Sequence, residues 1–191
     1  MGALNEGALG AGGTVEGVIH RMWMPAGADG ENRDELQGGL TSLLVADGPT
    51  LAERKKLLCD NADCFVILPG GPGTYDEMWE VISERQLALP QGKCPRPVVL
   101  VNVEGYWDFS LAQLQRCYDD GMLYKRPDEV VHAELTGEAA LNWIETEVRR
   151  LRAVWNTENK HETAKEVVGI SDETRAFAPP VVAVSSSAGN D

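Results

Sequence analysis

Histidine is scarce, with three residues, and the four cysteines (Cys59, Cys64, Cys94 and Cys117) form no Cys-x-x-Cys pair. Without clustered histidine partners that spacing argues against a zinc site. Without a secretory signal it also argues against a disulfide framework, so the thiols are expected to be reduced and mostly buried. Positive charge is short as well: 17 Lys and Arg face 30 Asp and Glu, for a net charge of −13. That balance argues against nonspecific attraction to nucleic acid or to an anionic membrane surface. It leaves room for one small anionic nucleotide in a locally positive pocket. No apolar run approaches a membrane span, and the first residues show no basic-then-apolar leader, so a cytoplasmic location is expected. What remains is ordinary: 191 residues, 43% hydrophobic and 25% charged, enough for one globular domain with a sizeable core.

One stretch organises the chain. Cys64 to Leu68 is a short apolar run of the kind buried on both faces of a parallel sheet. Pro69 ends it, and Gly70, Gly71 and Gly73 follow. Thr74 then reads as a helix N-cap, with Glu77 three residues on in capping-box spacing. Strand, glycine turn and helix N-terminus in that order present bare N–H groups and a partial positive charge to a phosphate-sized anion. On local physics alone, a plain strand–helix corner with a good cap fits equally well. No Lys-Ser or Lys-Thr follows the last glycine, so the turn is not a Walker phosphate loop. Its spacing is not the dinucleotide Gly-x-Gly-x-x-Gly either.

Around this stretch, strands are expected at 14–19, 41–46 and 98–103, with a short edge strand at 130–132. Helices are expected at about 50–61, 74–89, 111–118 and 141–155, with a weakly helical start at 1–11. Residues 20–39 read as an irregular loop, in which His20 is surface filler. The stripe Tyr75, Met78, Trp79, Ile82 and Leu89 reads as core or subunit interface. Alternating strands and helices predict an α/β fold, a Rossmann-like parallel sheet flanked by helices, with its site at the strands' carboxyl ends. The domain is expected over 1–155. The remainder, 156–191, reads as a tail whose Pro/Ala/Ser-rich end, 178–191, is disordered.

Pro69-Gly70-Gly71-x-Gly73-Thr74-x-x-Glu77, preceded by Glu53-Arg54-Lys55, resembles the paired signature of the LOG ("Lonely Guy") family. These are cytokinin riboside 5′-monophosphate phosphoribohydrolases, at times labelled lysine decarboxylases. Val99 to Tyr106 is similar to the family's strand after the motif helix, and the resemblance runs to about Glu147. Met1-Gly2, Gly12-Gly13 and Val15 to Ile19 fit an interior segment of the family. The expectation is therefore that the family's first two βα units are missing, with its first strand and an earlier glycine-rich turn.

The resemblance implies hydrolysis of the N-glycosidic bond of a nucleoside 5′-monophosphate, without metal or organic cofactor, by a homodimer. An oxocarbenium-like transition state asks for a nearby carboxylate. Glu77 is assigned that role, with Asp76 and Glu80 beside it to tune its ionisation. Gly70, Gly71, Gly73 and Thr74 are expected to bind phosphate. Arg54 is the second catalytic residue carried over from the motif, and Lys55 an accessory binder. Lysine decarboxylation would demand a Schiff-base lysine for pyridoxal phosphate, which nothing in the sequence marks. Two other readings stay open: a non-catalytic nucleotide- or cofactor-binding protein of the same superfamily, and an inactive fragment.

Overall fold

The computed structural model describes residues 2–24, 40–158 and 182–185. Residues 25–39 of the expected 20–39 loop lie outside them, as do residue 1, 159–181 and 186–191. The chain divides into two compact units, the first ending at Asn61 and the second beginning at Ala62.

In the first unit a short helix, α1 (Gly2–Gly10), leads to strand β1 (Glu16–His20). β1 pairs in parallel with β2 (Ser42–Ala46), from Glu16 opposite Ser42 to His20 opposite Ala46. Helix α2 (Ala52–Asp60) packs against both strands.

The second unit is built on residues that cannot tolerate water on either side. Strand β3 (Cys64–Ile67) and strand β4 (Val98–Val101) are buried at every position. Side chains alternate across a sheet, so Cys64, Val66, Val99 and Val101 share one face. They pack against Ala140, Ile144 and Val148, spaced one turn apart on α6 (Gly137–Glu158), with Leu68 and Trp143 at the margin. Each fully buried aliphatic side chain here contributes about 1.5–3 kcal/mol. Phe65, Ile67, Val98 and Leu100 lie on the opposite face and are buried too. Helix α3 (Pro72–Leu87) packs against β3, and its buried residues are Thr74, Glu77, Met78, Val81, Ile82 and Arg85. Thus Met78 and Ile82 are core as expected, whereas Trp79 and Leu89 are exposed.

The four-stranded sheet has the order β5-β4-β3-β6, and all its pairings are parallel. The fold is therefore α/β, of parallel sheets flanked by helices, and the described strands fall into two sheets, one in each unit. After β4 come α4 (Asp108–Asp119), the short α5 (Pro127–Val130) and β5 (His132–Glu134). The edge strand lies two residues later than expected. Pro127 opens a helical turn that runs through Val130, and the Glu129 carboxylate accepts the Arg126 backbone N–H at 3.0 Å.

The C-terminal end departs from expectation more clearly. The boundary at 155 falls inside α6, which continues to Glu158, and β6 (Val182–Ser185) is a strand parallel to β3. A disordered reading of these four residues gave weight to Pro and Ser around them. The run Val-Ala-Val has strand character once β3 offers an open edge. No helix among the described residues is long and apolar enough to cross a membrane.

Burial also decides thiol chemistry. Cys64, on β3, is fully buried, and desolvation pushes its thiol up to about 12. Native protein alkylated at pH 8 is therefore expected to stay unmodified at Cys64, by peptide mass mapping, until denaturant is added.

Candidate functional site

The glycine turn sits where β3 hands over to α3. The N-cap lies three residues earlier than the capping-box reading placed it: Gly71 takes that position and Pro72 is the first helical residue. Proline suits that position because its fixed φ is helical and its missing N–H would be unpaired there anyway. The N–H groups of Thr74 and Tyr75 both donate to the Gly71 carbonyl, at 3.0 and 3.1 Å. Thr74 is thus inside the first turn, fully buried.

Thr74 faces back onto Gly70, and a methyl group added at Gly70 would overlap the Thr74 Oγ1. On the β4 side, the Tyr106 hydroxyl donates to the Gly70 carbonyl at 2.5 Å. The turn is thus held from two directions. Gly70→Ala is expected to cost about 1–3 kcal/mol, since buried Thr74 has little room to move, and a thermal melt would record it.

Tyr106 is itself fixed. Its ring meets that of Trp107 edge-on at 5.0 Å, and Tyr75 lies 5.1 Å from Trp107 on the motif-helix side. Asn102 stands behind them: its Oδ1 accepts the Trp107 N–H at 2.7 Å and its Nδ2 donates to Asp108 at 2.8 Å. The chain turns there through Glu104 and Gly105, both at positive φ (52° and 74°). The sequence reading missed Asn102, Tyr106 and Trp107 as supports of the site. Their signal was the Asn-x-x-Gly-Tyr-Trp run directly after a buried strand.

Glu77 lies one turn along α3 from Thr74, on the same buried stripe, and is 9% exposed. Asp76 and Glu80 point to the exposed side of the helix. Gly70, Gly71, Gly73, Thr74, Asp76, Glu77 and Glu80 are therefore brought together on one corner of the second unit. The burial differs sharply among the three carboxylates, and only Glu77 is withdrawn from solvent.

Arg54 and Lys55 belong to the first unit, on α2, and both are half-buried. Arg54 Nε donates to the Val18 carbonyl at 3.2 Å, and its guanidinium lies 5.7 Å from the centre of the Trp23 ring. These contacts anchor it against β1 and are inconsistent with a simple solvated charge run. His20 was expected at the surface and is instead 2% exposed. Its Nδ1 accepts the Met22 N–H at 3.1 Å, and its Nε2 has no hydrogen-bond partner among the described residues. The β-strand register at the end of β1 places it inward, which the Gly- and Asp-rich sequence that follows obscured.

The family model described as "Possible lysine decarboxylase" matches residues 1–144. The chain is 37% identical over 123 residues to cytokinin riboside 5′-monophosphate phosphoribohydrolase LOG5 of Arabidopsis thaliana, covering 64% of this chain and 48% of the relative. With LOG1 of the same plant, named for the same activity, it shares 29% identity over 171 residues, 90% of this chain and 73% of the relative. The probable enzyme of that name from Oryza sativa subsp. japonica, LOGL9, is 37% identical over 123 residues, again 64% of this chain and 48% of the relative. The chain thus spans about half the length of two of these three relatives.

Proposed function

The chain belongs to the LOG family, whose model matches residues 1–144, and on that premise we propose that it hydrolyses the N-glycosidic bond of nucleoside 5′-monophosphates. Water adds to C1′ of the ribose, the C1′–N bond breaks, and its electron pair leaves with the base, which gains a proton. The products are free base and ribose 5-phosphate. As C1′ loses the base it takes on positive charge, and a carboxylate on that side stabilises it or activates the water. Glu77 is that carboxylate. The observation that carries this assignment is its withdrawal from solvent directly behind the glycine turn, where a charge acts through a lower dielectric than on the helix surface.

Gly70, Gly71, Gly73 and Thr74 hold the phosphate, while Asp76 and Glu80 contact the substrate from the rim. Arg54 is the second catalytic residue, a planar donor for phosphate or for the departing base, and Lys55 adds positive charge. The enzyme acts in the cytoplasm as a homodimer, with neither metal nor organic cofactor. A pyridoxal-phosphate decarboxylase would need a desolvated lysine for its Schiff base. Of the described lysines, Lys55 and Lys125 are half-buried and Lys56 and Lys93 exposed, which does not fit that group.

The test is release of ribose 5-phosphate from AMP and from isopentenyladenosine monophosphate by the chain. Turnover of either supports the hydrolase. No turnover with AMP binding retained in calorimetry would replace it with the carrier reading.

A further inference from the structure

The strand order of the second unit reverses at one place. From β3 the chain steps outward to β4 and then β5, and β6 returns to the opposite side of β3. In open parallel sheets, the crevice at the carboxyl ends of the strands, at the point of reversal, is where ligands sit. That point is the seam between β3 and β6.

Two further observations bear on the seam. The pairing is parallel and runs from Cys64 opposite Val182 to Ile67 opposite Ser185, so the two backbones leave the sheet at the same edge, side by side. Helix α3 packs against β6 as well as β3, whereas α6 packs against β3, β4 and β5. The helix that carries Thr74 and Glu77 therefore covers the seam itself.

We propose that β6 is a wall of the substrate site: the phosphorylated ribose lies in the crevice at the carboxyl ends of β3 and β6, between the Gly70–Gly71 turn and Ser185. This rests on the reading of the chain as a sugar-phosphate-binding protein. It assigns a binding role to a segment far from every motif discussed above.

The experiment uses the full chain and two variants, Ser185→Asp and Ser185→Asn, titrated with ribose 5-phosphate by calorimetry. A carboxylate placed where β6 ends repels the dianion, so Ser185→Asp is expected to weaken binding tenfold or more. Ser185→Asn, of equal size and no charge, stays within about threefold. Affinity of a folded Ser185→Asp within twofold of the parent overturns the proposal, as does a parent chain that binds no ribose 5-phosphate. Where Ser185→Asp fails to fold, amide hydrogen exchange on the unmutated chain decides. Slower exchange at Val184 and Ser185 on adding ribose 5-phosphate is expected, and unchanged exchange there overturns the proposal. The two readings fail separately. Cleavage of AMP by Ser185→Asp with the parent's KM removes β6 from the site and keeps the hydrolase. Ribose 5-phosphate binding that responds to Ser185→Asp, in a chain that never cleaves AMP, keeps β6 and removes the hydrolase.

Discussion

Glu77→Gln is expected to lower the release of ribose 5-phosphate by a factor on the order of 10² to 10⁴, the range lost when a positioned acid or base is removed. The replacement keeps the shape of the side chain and deletes only its charge. Because Glu77 is nearly buried on the stripe that also carries Met78 and Val81, shape matters for folding. The melting temperature should therefore move little while turnover collapses. The loss is expected in kcat, with KM changed by less than about threefold, because the charge is needed most when C1′ becomes positive. Asp76→Asn and Glu80→Gln, on the exposed side of the same helix, are the comparison. If either costs as much as Glu77→Gln, the role assigned to burial is wrong.

Arg85→Ala should have the largest effect on stability, a loss of about 3–5 kcal/mol by urea unfolding of the kind seen when one partner of a buried ion pair is removed. Arg85 is 8% exposed, and its guanidinium reaches two helices and the segment before β4. Nε donates to the Glu129 carbonyl of α5 at 2.9 Å, and Nη1 to the Arg96 carbonyl before β4 at 2.7 Å. Nη2 faces Glu147 of α6 at 3.7 Å. Alanine leaves two carbonyls without their donor and opens a cavity under α3. Arg85→Lys is not expected to rescue, since a single ammonium cannot reproduce the fork.

The pH dependence follows from Glu147. Its hydrogen bond from Arg150, and then the attraction of Arg150 and Arg85, hold its carboxyl below the ordinary value of 4.5. A carboxyl that is more acidic folded than unfolded contributes stability above the ordinary value and loses it as the pH falls through the folded one. The stability gap between the parent and Arg85→Ala should accordingly narrow in acid. A gap that holds constant from pH 7 to pH 3 would show that hydrogen bonding to the two carbonyls, and not the ion pair, supplies the difference.

What was legible in the sequence was governed by local pattern. Cys64 to Leu68 reads as a doubly buried strand because no polar residue interrupts it, and β3 is buried at every position. The handover through Gly70 and Gly71 to a helix was equally plain. The start of that helix was misplaced because Thr74 and Glu77 match a capping box, while Pro72 at the first helical position outweighs them. His20, Tyr106 and Arg85 depended on partners distant in the chain, and no periodicity announces such contacts. The four residues of β6 depended on them most of all, since a run that short becomes a strand only when a neighbour supplies its hydrogen bonds.

The pairing of β3 with β6 also has a kinetic side. Its two halves are separated by most of the chain, so their union closes a very long loop, and sheets with such distant pairings fold slowly. β6 is made after every other described element. Until it arrives, a nascent chain carries β3 with one edge unpaired: four apolar residues whose backbone donors and acceptors face outward. An edge of that kind invites pairing with another copy of itself. Aggregation during synthesis, rather than loss of stability in the finished protein, is where shortening the C-terminal end of this chain should first be felt.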